Sequence, residues 1–176
     1  MNKIKIDGVL IVEGKDDVSY LSSFVDALFF TTNGYDLSSK KVEFLLEASK
    51  VNKLIIYTDP DEAGETIRKM IKSQISNVFE AKSEKIVRKC YKKCGVAELE
   101  KEEVIRSLKQ FESTAPITRY NYDLSTLVSL SDNPSRTKQK IISKYRLIDG
   151  NNKYIESELN ILKIKPEEIK ELVNGN

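Results

Sequence analysis

The stretch TDPDEAGE, residues 58–65, is the part of the sequence best suited to chemistry, and it follows the apolar run KLIIY. Asp59 and Asp61 stand one residue apart at the end of a predicted buried strand, where two like charges repel each other. A hard divalent cation such as Mg²⁺ takes oxygen ligands and would resolve this conflict. Such a cation binds a phosphate oxygen, activates water or stabilises a leaving oxygen. The two aspartates would therefore suit a metal site for chemistry at phosphate if a further acid lies beside them.

Glu13 marks a second acidic strand end, directly after the apolar run GVLIV at residues 8–12. Each signal alone has an ordinary explanation, because Asp-Pro favours turns, Asp61 suits a helix N-cap and an acid after a strand can be solvated. The two acidic strand ends are each followed by a glycine and a predicted helix, and this combination favours a functional role. We predict a joint site of Glu13, Asp59 and Asp61 that holds one or two Mg²⁺ ions, with Mn²⁺ as an alternative.

The composition narrows the chemistry further. The 176 residues include no histidine, so Ser-His-Asp and Cys-His nucleophilic devices are excluded. Acid–base steps must use carboxylates, lysine, tyrosine or metal-bound water. The two cysteines, Cys90 and Cys94, are interpreted as reduced thiols, since a zinc site would need carboxylates to complete it.

The balance of residues is typical of a soluble globular protein, with 40% hydrophobic and 32% charged residues. No apolar stretch approaches the roughly 20 residues that span a membrane, and the apolar run near the N-terminus is too short for a signal peptide. We therefore expect a cytoplasmic protein with no membrane partner. The net charge is only +2, so binding to nucleic acid would require local positive charge.

Strands and helices alternate along the first half of the chain. Apolar, β-branched runs predict strands over 8–12, 29–35, 53–58 and 77–81, and amphipathic spacing predicts helices over 16–28, 37–51 and 61–75. This order favours a parallel-sheet α/β sandwich of the Rossmann-like kind, in which ligands bind at the carboxyl ends of the strands. If the first and third strands are neighbours, Glu13, Asp59 and Asp61 lie at one edge of the sheet.

The second half of the chain has a different character. Helices are predicted over 100–113, 124–130, 131–147, 150–164 and 165–173, and a turn-rich segment around Pro116 marks a boundary. We therefore divide the chain into an α/β domain, residues 1–112, and a small helical domain, residues 113–176. Two segments are locally basic and are either RNA-binding surfaces or ordinary solvated faces: Lys82, Lys85, Arg88, Lys89, Lys92 and Lys93, and then Arg136, Lys138, Lys140, Lys144 and Arg146.

VEGKDD at residues 12–17 and TDPDEAGETIR at residues 58–68 together resemble the motifs of the Toprim domain, a glutamate after the first strand and Asp-x-Asp after the third. Within Toprim proteins the chain is most similar to the ribonuclease M-five family, which matures 5S ribosomal RNA. TNG at 32–34, the lysine-rich segment with Gly95-Val96, and the C-terminal helices add to this likeness. The family usually continues Glu-His-Ala after the Gly-Val pair, whereas this chain has Ala97-Glu98-Leu99.

The resemblance implies a Toprim domain followed by a helical domain that binds RNA or ribonucleoprotein. It implies a Mg²⁺-dependent endonuclease that cuts both strands of double-helical precursor 5S rRNA, with a 5S-rRNA-binding ribosomal protein as partner. A non-catalytic or differently targeted Toprim protein, similar to RecR or to OLD nucleases, is the alternative. The implied catalytic metal ligands are Glu13, Asp59 and Asp61, and Glu13 is also a candidate base. The candidates for contacting phosphate or substrate are Gly14, Lys15, Asn33, Gly34, Gly64, Lys85, Lys89, Lys92 and Lys93. The candidates for a further acid are Asp17, Glu65 and Glu98.

Overall fold

A four-stranded parallel sheet forms the centre of the fold. The computed structural model describes residues 3–34, 37–82 and 95–174, and all statements below concern these residues. The strands are β1 (Ile4–Val12), β2 (Val25–Thr31), β3 (Leu54–Ile56) and β4 (Val78–Glu80), in the order β2-β1-β3-β4. The helices are α1 (Lys15–Ser22), α2 (Ser39–Ser49), α3 (Glu62–Gln74), α4 (Lys101–Leu108), α5 (Leu124–Ser129), α6 (Pro134–Tyr145), α7 (Asn152–Ile161) and α8 (Pro166–Asn174). The predicted α/β class is confirmed.

Both faces of the sheet are buried, as the continuous apolar runs of the strands require. One face carries Val9 and Ile11 of β1 and packs against helices α2 and α3 through Phe44, Leu45 and Ile67. The other face carries Leu10 and Val12 and packs in one cluster with Leu21 of α1 and with Val104 and Leu108 of α4. The sheet is therefore held rigidly between two hydrophobic layers, and its strand ends are fixed in space.

The predicted helix over residues 16–28 is wrong in its second half. Helix α1 ends at Ser22, and Val25–Thr31 form the edge strand β2, which pairs in parallel with β1. Phe24, Val25 and Leu28 have a spacing that also fits a helix, but here Val25 and Leu28 face opposite sides of the sheet. A strand buried on both faces shows no alternation of apolar and polar residues, so the sequence pattern alone could not separate the two structures.

The predicted neighbourhood of the first and third strands is confirmed. Strands β1 and β3 pair in parallel, with Ile11 opposite Ile56, and main-chain bonding continues from Tyr57 N–H to the Ile11 carbonyl. Glu13 and Asp59 therefore leave the sheet side by side at its carboxyl edge. This is the place where α/β folds bind their ligands.

The C-terminal helices share one hydrophobic cluster with the α2–α3 face of the sheet. Leu124 of α5, Ile141 of α6, Ile155 of α7 and Ile169 of α8 are buried in this cluster. The division of the chain at residues 112 and 113 stays a prediction. None of the described helices combines the length and the apolar character that a membrane span needs.

One carboxyl group is buried among these helices and gives a prediction of its own. Glu158 of α7 is 1% exposed; its Oε2 accepts a hydrogen bond from Ile148 N–H, and its Oε1 has no partner among the described residues. Burial raises the pKa of Glu158 from 4.5 to about 8, against the lowering effect of the Ile148 N–H and the Tyr154 hydroxyl. The folded state therefore holds a proton that the unfolded state releases at lower pH.

We expect the free energy of unfolding to fall as the pH rises from about 4.5 to about 8, by up to about 1.4 kcal/mol per pH unit from this group. Glu158→Gln keeps the shape without the charge, and it should flatten this slope and make the protein more stable than wild type at pH 8. Urea unfolding at several pH values measures the effect, with the exposed Glu167→Gln as the matched control. An unchanged slope in Glu158→Gln would refute the assignment.

Candidate active site

Glu13 joins the ends of two neighbouring strands. It follows β1 directly, and its Oε1 accepts a hydrogen bond of 2.9 Å from the main-chain N–H of Asp59, which lies 46 residues further along the chain. The carboxylate is thereby fixed at the start of the loop between β3 and α3. The predicted joining of Glu13 with the Asp59 region in space is thus present in the structure.

Asp59 is held from the opposite side by the chain that follows β4. Its Oδ1 accepts a hydrogen bond of 2.6 Å from Val96 N–H, at the start of a short 3-10 helix (Val96–Glu98). Gly95 lies so close that a Cβ atom there would stand 3.3 Å from Asp59 Oδ2. Gly95-Val96 therefore positions Asp59, a contact that the sequence alone did not indicate.

Asp61 is the N-cap of helix α3. Its Oδ1 accepts a hydrogen bond of 2.9 Å from Gly64 N–H, as the capping interpretation of the sequence predicts. Gly64 packs against the loop, since a Cβ there would lie 2.0 Å from the Asp59 carbonyl oxygen and 2.9 Å from Glu13 Oε1. Gly64 is thus required for close packing between helix and loop, as its cost in a helix suggested.

The electrostatic environment shows that these carboxylates converge. Burial raises the pKa of the Glu13 carboxyl; the Asp59 N–H lowers it, and the nearby charges of Asp59, Asp61 and Asp17 raise it further. Burial likewise raises the pKa of Asp59; the Val96 N–H lowers it, and the charges of Asp17, Asp61 and Glu98 raise it. The repulsion expected from the sequence is therefore present between the ends of β1 and β3.

The three candidates for a further acid have different surroundings. Asp17 is 7% exposed, accepts a hydrogen bond of 2.9 Å from Gly14 N–H through Oδ2, and acts on both Glu13 and Asp59. Glu98 is exposed, and its charge reaches Asp59. Glu65 instead forms ion pairs with Arg68 and Lys69. The structure thus brings Asp17 and Glu98 to the carboxylate group, whereas Glu65 belongs to a neighbouring ion-pair network.

The carboxylates fit a hydrated Mg²⁺ ion better than a closed protein cage. Glu13, Asp59 and Asp61 each use one named oxygen for a main-chain N–H and leave the other oxygen outside those bonds. Within the described ranges no three Asp, Glu or Cys side chains form a ready-made metal-binding group. Mg²⁺ keeps several waters and is usually held by one or two carboxylates together with substrate phosphates. This donor set suits such an ion.

The candidates for contacting phosphate surround the same edge of the sheet. Lys15 is exposed at the first position of α1. Asn33 and Gly34 have positive φ angles of 51° and 96° in the turn after β2, and Asn33 N–H donates to the Glu13 carbonyl at 2.8 Å. Gly14 has an ordinary extended conformation as the N-cap of α1. Lys85, Lys89, Lys92 and Lys93 lie outside the described residues, as do Arg88, Cys90 and Cys94.

Arg68 of helix α3 is a positioning residue that the sequence analysis did not single out. Its guanidinium donates to Thr58 Oγ1 and to the Asp59 carbonyl, both at 2.8 Å, and to Glu65 Oε2 at 2.8 and 3.0 Å. It also lies 3.5 Å from Glu80 of β4, and its side chain is 12% exposed. The only signal in the sequence is an arginine ten residues after Thr58. Arg68 therefore fixes the loop that carries Asp59 and Asp61.

Replacement of Arg68 by lysine is expected to weaken the site without unfolding the chain. A lysine ammonium lacks the planar fork that reaches Thr58, Asp59 and Glu65 together. We expect the affinity of the site for a divalent cation to fall about 10–100-fold, the range for partners that orient metal ligands. Titration with Mg²⁺, at a temperature where both proteins are folded, measures this effect. Arg106→Lys, on the exposed side of α4, is the control, and equal behaviour of the two variants would contradict the assignment.

Comparison with known proteins gives a consistent result. The model of the Toprim domain family matches residues 8–98. Ribonuclease M5 of Fusobacterium nucleatum is 32% identical over 173 residues, covering 96% of this chain and 94% of that protein. Ribonuclease M5 of Mycoplasma mycoides is 31% identical over 182 residues, covering 98% of this chain and 99% of that protein. Ribonuclease M5 of Mycoplasma pneumoniae is 27% identical over 175 residues, covering 97% of each protein. A solved small TOPRIM domain protein from Bacillus stearothermophilus has a TM-score of 0.47 at 22% identity and covers 62% of this chain and 86% of that one. The sequence similarity to ribonucleases M5 thus extends through the C-terminal helices.

Proposed function

This chain belongs to the Toprim family and, over almost its whole length, to the ribonuclease M5 family, and on this premise we propose that it cuts both strands of double-helical precursor 5S rRNA with Mg²⁺ to give mature 5S rRNA. The observation that carries the proposal is the hydrogen bond from Asp59 N–H to Glu13 Oε1, because it shows that the two acidic strand ends lie next to each other. A single edge of the sheet then offers the carboxylates that phosphodiester hydrolysis with a metal ion needs.

The residues have separate tasks in this proposal. Asp59, Asp61 and Glu13 supply oxygens to one or two Mg²⁺ ions, with Mn²⁺ as a substitute; when bound, such an ion neutralises charge at the scissile phosphate. Glu13 would accept a proton from the attacking water, since one of its two carboxylate oxygens lies outside the bond to Asp59 N–H. Lys15 and the turn at Asn33 and Gly34 contact the phosphates of the substrate on the exposed side of the site.

The C-terminal region has a recognition task. We assign residues 113–176 to a small helical domain that contacts the RNA or the 5S-rRNA-binding ribosomal protein, which acts as partner in the cleavage. Two cations of its basic stretch already have protein partners, since Lys138 pairs with Asp149 and Arg146 with Glu47. We propose that the protein acts in the cytoplasm, because its proposed substrate is precursor 5S rRNA. A RecR-like or OLD-like role is not favoured, because the named relatives are ribonucleases along more than nine tenths of the chain.

The test is cleavage of a purified 5S precursor duplex by the full chain in the presence of Mg²⁺, with and without the cognate ribosomal protein. Paired cuts, one on each strand at the two mature ends, are the expected result. A mature 5S rRNA and an unrelated duplex of equal length are the control substrates. No cleavage of the precursor in the presence of the ribosomal protein and Mg²⁺, or equal cleavage of the unrelated duplex, would overturn the proposal.

A further inference from the structure

A groove of about 810 Å³ opens beside the candidate active site and extends towards the C-terminal helices. At one end it is lined by Lys15 and Asn33, which belong to the active-site edge of the sheet. Its walls are strand β2 and the segment 119–122, and Lys153 of α7 lines its C-terminal part. The groove therefore connects the carboxylate site with the C-terminal part of the chain.

One wall of the groove is the free edge of the sheet. Strand β2 is outermost in the order β2-β1-β3-β4, and the Ala27 carbonyl points away from β1 because it accepts a hydrogen bond of 2.8 Å from Arg119. Alternate residues of an edge strand present their main-chain groups to the same side. The N–H and carbonyl groups of Phe29 and Thr31 therefore face the groove as well. They offer hydrogen-bond donors and acceptors that the described part of the sheet leaves available.

The basic and acidic residues that line the groove differ in whether they have protein partners. Lys15 and Lys153 are exposed and form no hydrogen bond or ion pair with the residues that the structure describes. Arg119 pairs with Asp26 at the groove wall. The acidic lining residues are engaged elsewhere: Asp149 pairs with Lys138, Glu156 accepts the Leu124 N–H, and Glu158 is buried. Two exposed lysines without a described partner thus line the groove, whereas each of its acids is paired, hydrogen-bonded or buried.

We propose that this groove binds the phosphodiester backbone of the RNA strand that extends from the cleavage site, with Lys15 near the scissile phosphate and Lys153 at a phosphate further along the strand. This inference rests on the proposed function, because it takes the substrate to be RNA. Lysines bind phosphates as point charges, and most protein contacts to nucleic acids are made to phosphate and sugar. The exposed amides of Asn33 and Asn121 line the same path and suit phosphate oxygens and 2′-hydroxyls.

The experiment measures RNA binding separately from cleavage. The full chain with Asp59→Asn binds labelled 5S precursor duplex, without the ribosomal protein, over a series of salt concentrations, and Lys153→Ala is compared in the same background. We expect a several-fold higher Kd, and a salt dependence of log K reduced by about one, because one phosphate contact is lost. Lys170→Ala, an exposed lysine of α8 outside the groove, is the matched control and should leave both values unchanged.

The outcomes separate this inference from the proposed function. The same Kd and salt slope for Lys153→Ala and its parent would overturn the inference, even if the wild-type chain cuts the precursor correctly. A loss that appears only when the ribosomal protein is added would also overturn it, since the groove would then hold that protein. Conversely, weakened binding in Lys153→Ala together with a wild-type chain that never cuts would leave the RNA groove in place and remove the nuclease function. A parent that does not bind the duplex without the ribosomal protein would overturn the inference alone, and a wild-type chain that also fails to cut when that protein is present would remove both.

Discussion

Replacing Asp59 with asparagine is expected to lower RNA cleavage by at least about a thousandfold, because the proposed metal site would lose one charged ligand and with it several kcal/mol of stabilisation at the reacting phosphate. The substitution is nearly isosteric, and the asparagine carbonyl oxygen can still accept the hydrogen bond that Asp59 Oδ1 receives from Val96 N–H. The fold should therefore stay intact. Single-turnover cleavage of the precursor duplex measures the effect.

A second measurement on the same variant does not depend on cleavage. Burial and neighbouring carboxylates raise the pKa of Asp59, so its ionisation destabilises the folded state as the pH rises above the usual aspartate range. Asparagine carries no charge, and Asp59→Asn should unfold at a higher temperature than wild type at pH 7.5 in a chelator. If the folded protein alone binds Mg²⁺ at this site, as proposed, added Mg²⁺ should stabilise wild type much more than the variant.

The control for this prediction is Asp7→Asn. Asp7 is exposed, forms an ion pair with Lys53 and stands towards the other end of β1 from Glu13. Its replacement should change neither cleavage nor the effect of Mg²⁺. If Asp59→Asn cuts at more than a tenth of the wild-type rate while folded, Asp59 does not hold the catalytic ion. If Mg²⁺ stabilises both proteins equally, the cation binds elsewhere.

The residues at the strand ends could be recognised from sequence because one physical rule locates them. A parallel sheet brings the carboxyl ends of its strands to one edge, and the acids after β1 and β3 stand out against apolar runs. The hydrogen bond from Asp59 N–H to Glu13 confirms that the two strand ends meet there. The N-cap role of Asp61 followed from the sequence, but the use of Glu13 and Asp59 as acceptors of main-chain N–H groups could not be foreseen, because it depends on the exact path of the loops.

Residues that act through another residue were harder to find. Arg68 resembles an ordinary surface charge in the sequence, and only the folded chain shows that it holds the Asp59 carbonyl. Asp17 was a candidate acid, but its burial is visible only in the folded chain. Val96 is 37 residues from Asp59, and no periodic pattern links the two. The strand predicted over 29–35 was displaced for a related reason, since the apolar residues of Val25–Thr31 fit two periodicities and pairing with β1 decides between them.

Among substitutions that add one methyl group at the site, Gly64→Ala is expected to lower the stability of the protein most. The new Cβ would lie 2.0 Å from the Asp59 carbonyl oxygen and 2.8 Å from its carbon, and both are main-chain atoms that cannot rotate away. Helix α3 and the loop would have to separate, although alanine is the better helix residue by about 1 kcal/mol. We expect a net loss of about 2–3 kcal/mol of unfolding free energy, or roughly 5–10 °C in Tm.

The same separation should also damage catalysis in molecules that remain folded. Gly64 N–H donates to Asp61, and the Cβ would press on Glu13 Oε1 at 2.9 Å, so the shift reaches two of the three carboxylates. Cleavage at 20 °C should therefore fall at least about tenfold, since displacements of about 1 Å have large effects on catalytic geometry.

Gly14→Ala is the control for folding, because a Cβ there has open space up to Asp17 Oδ2 at 3.9 Å and an extended backbone. It should cost less than about 1 kcal/mol of stability. Equal Tm values for the two variants would show that helix α3 does not press on the Asp59 loop, and the close packing inferred for Gly64 would be wrong.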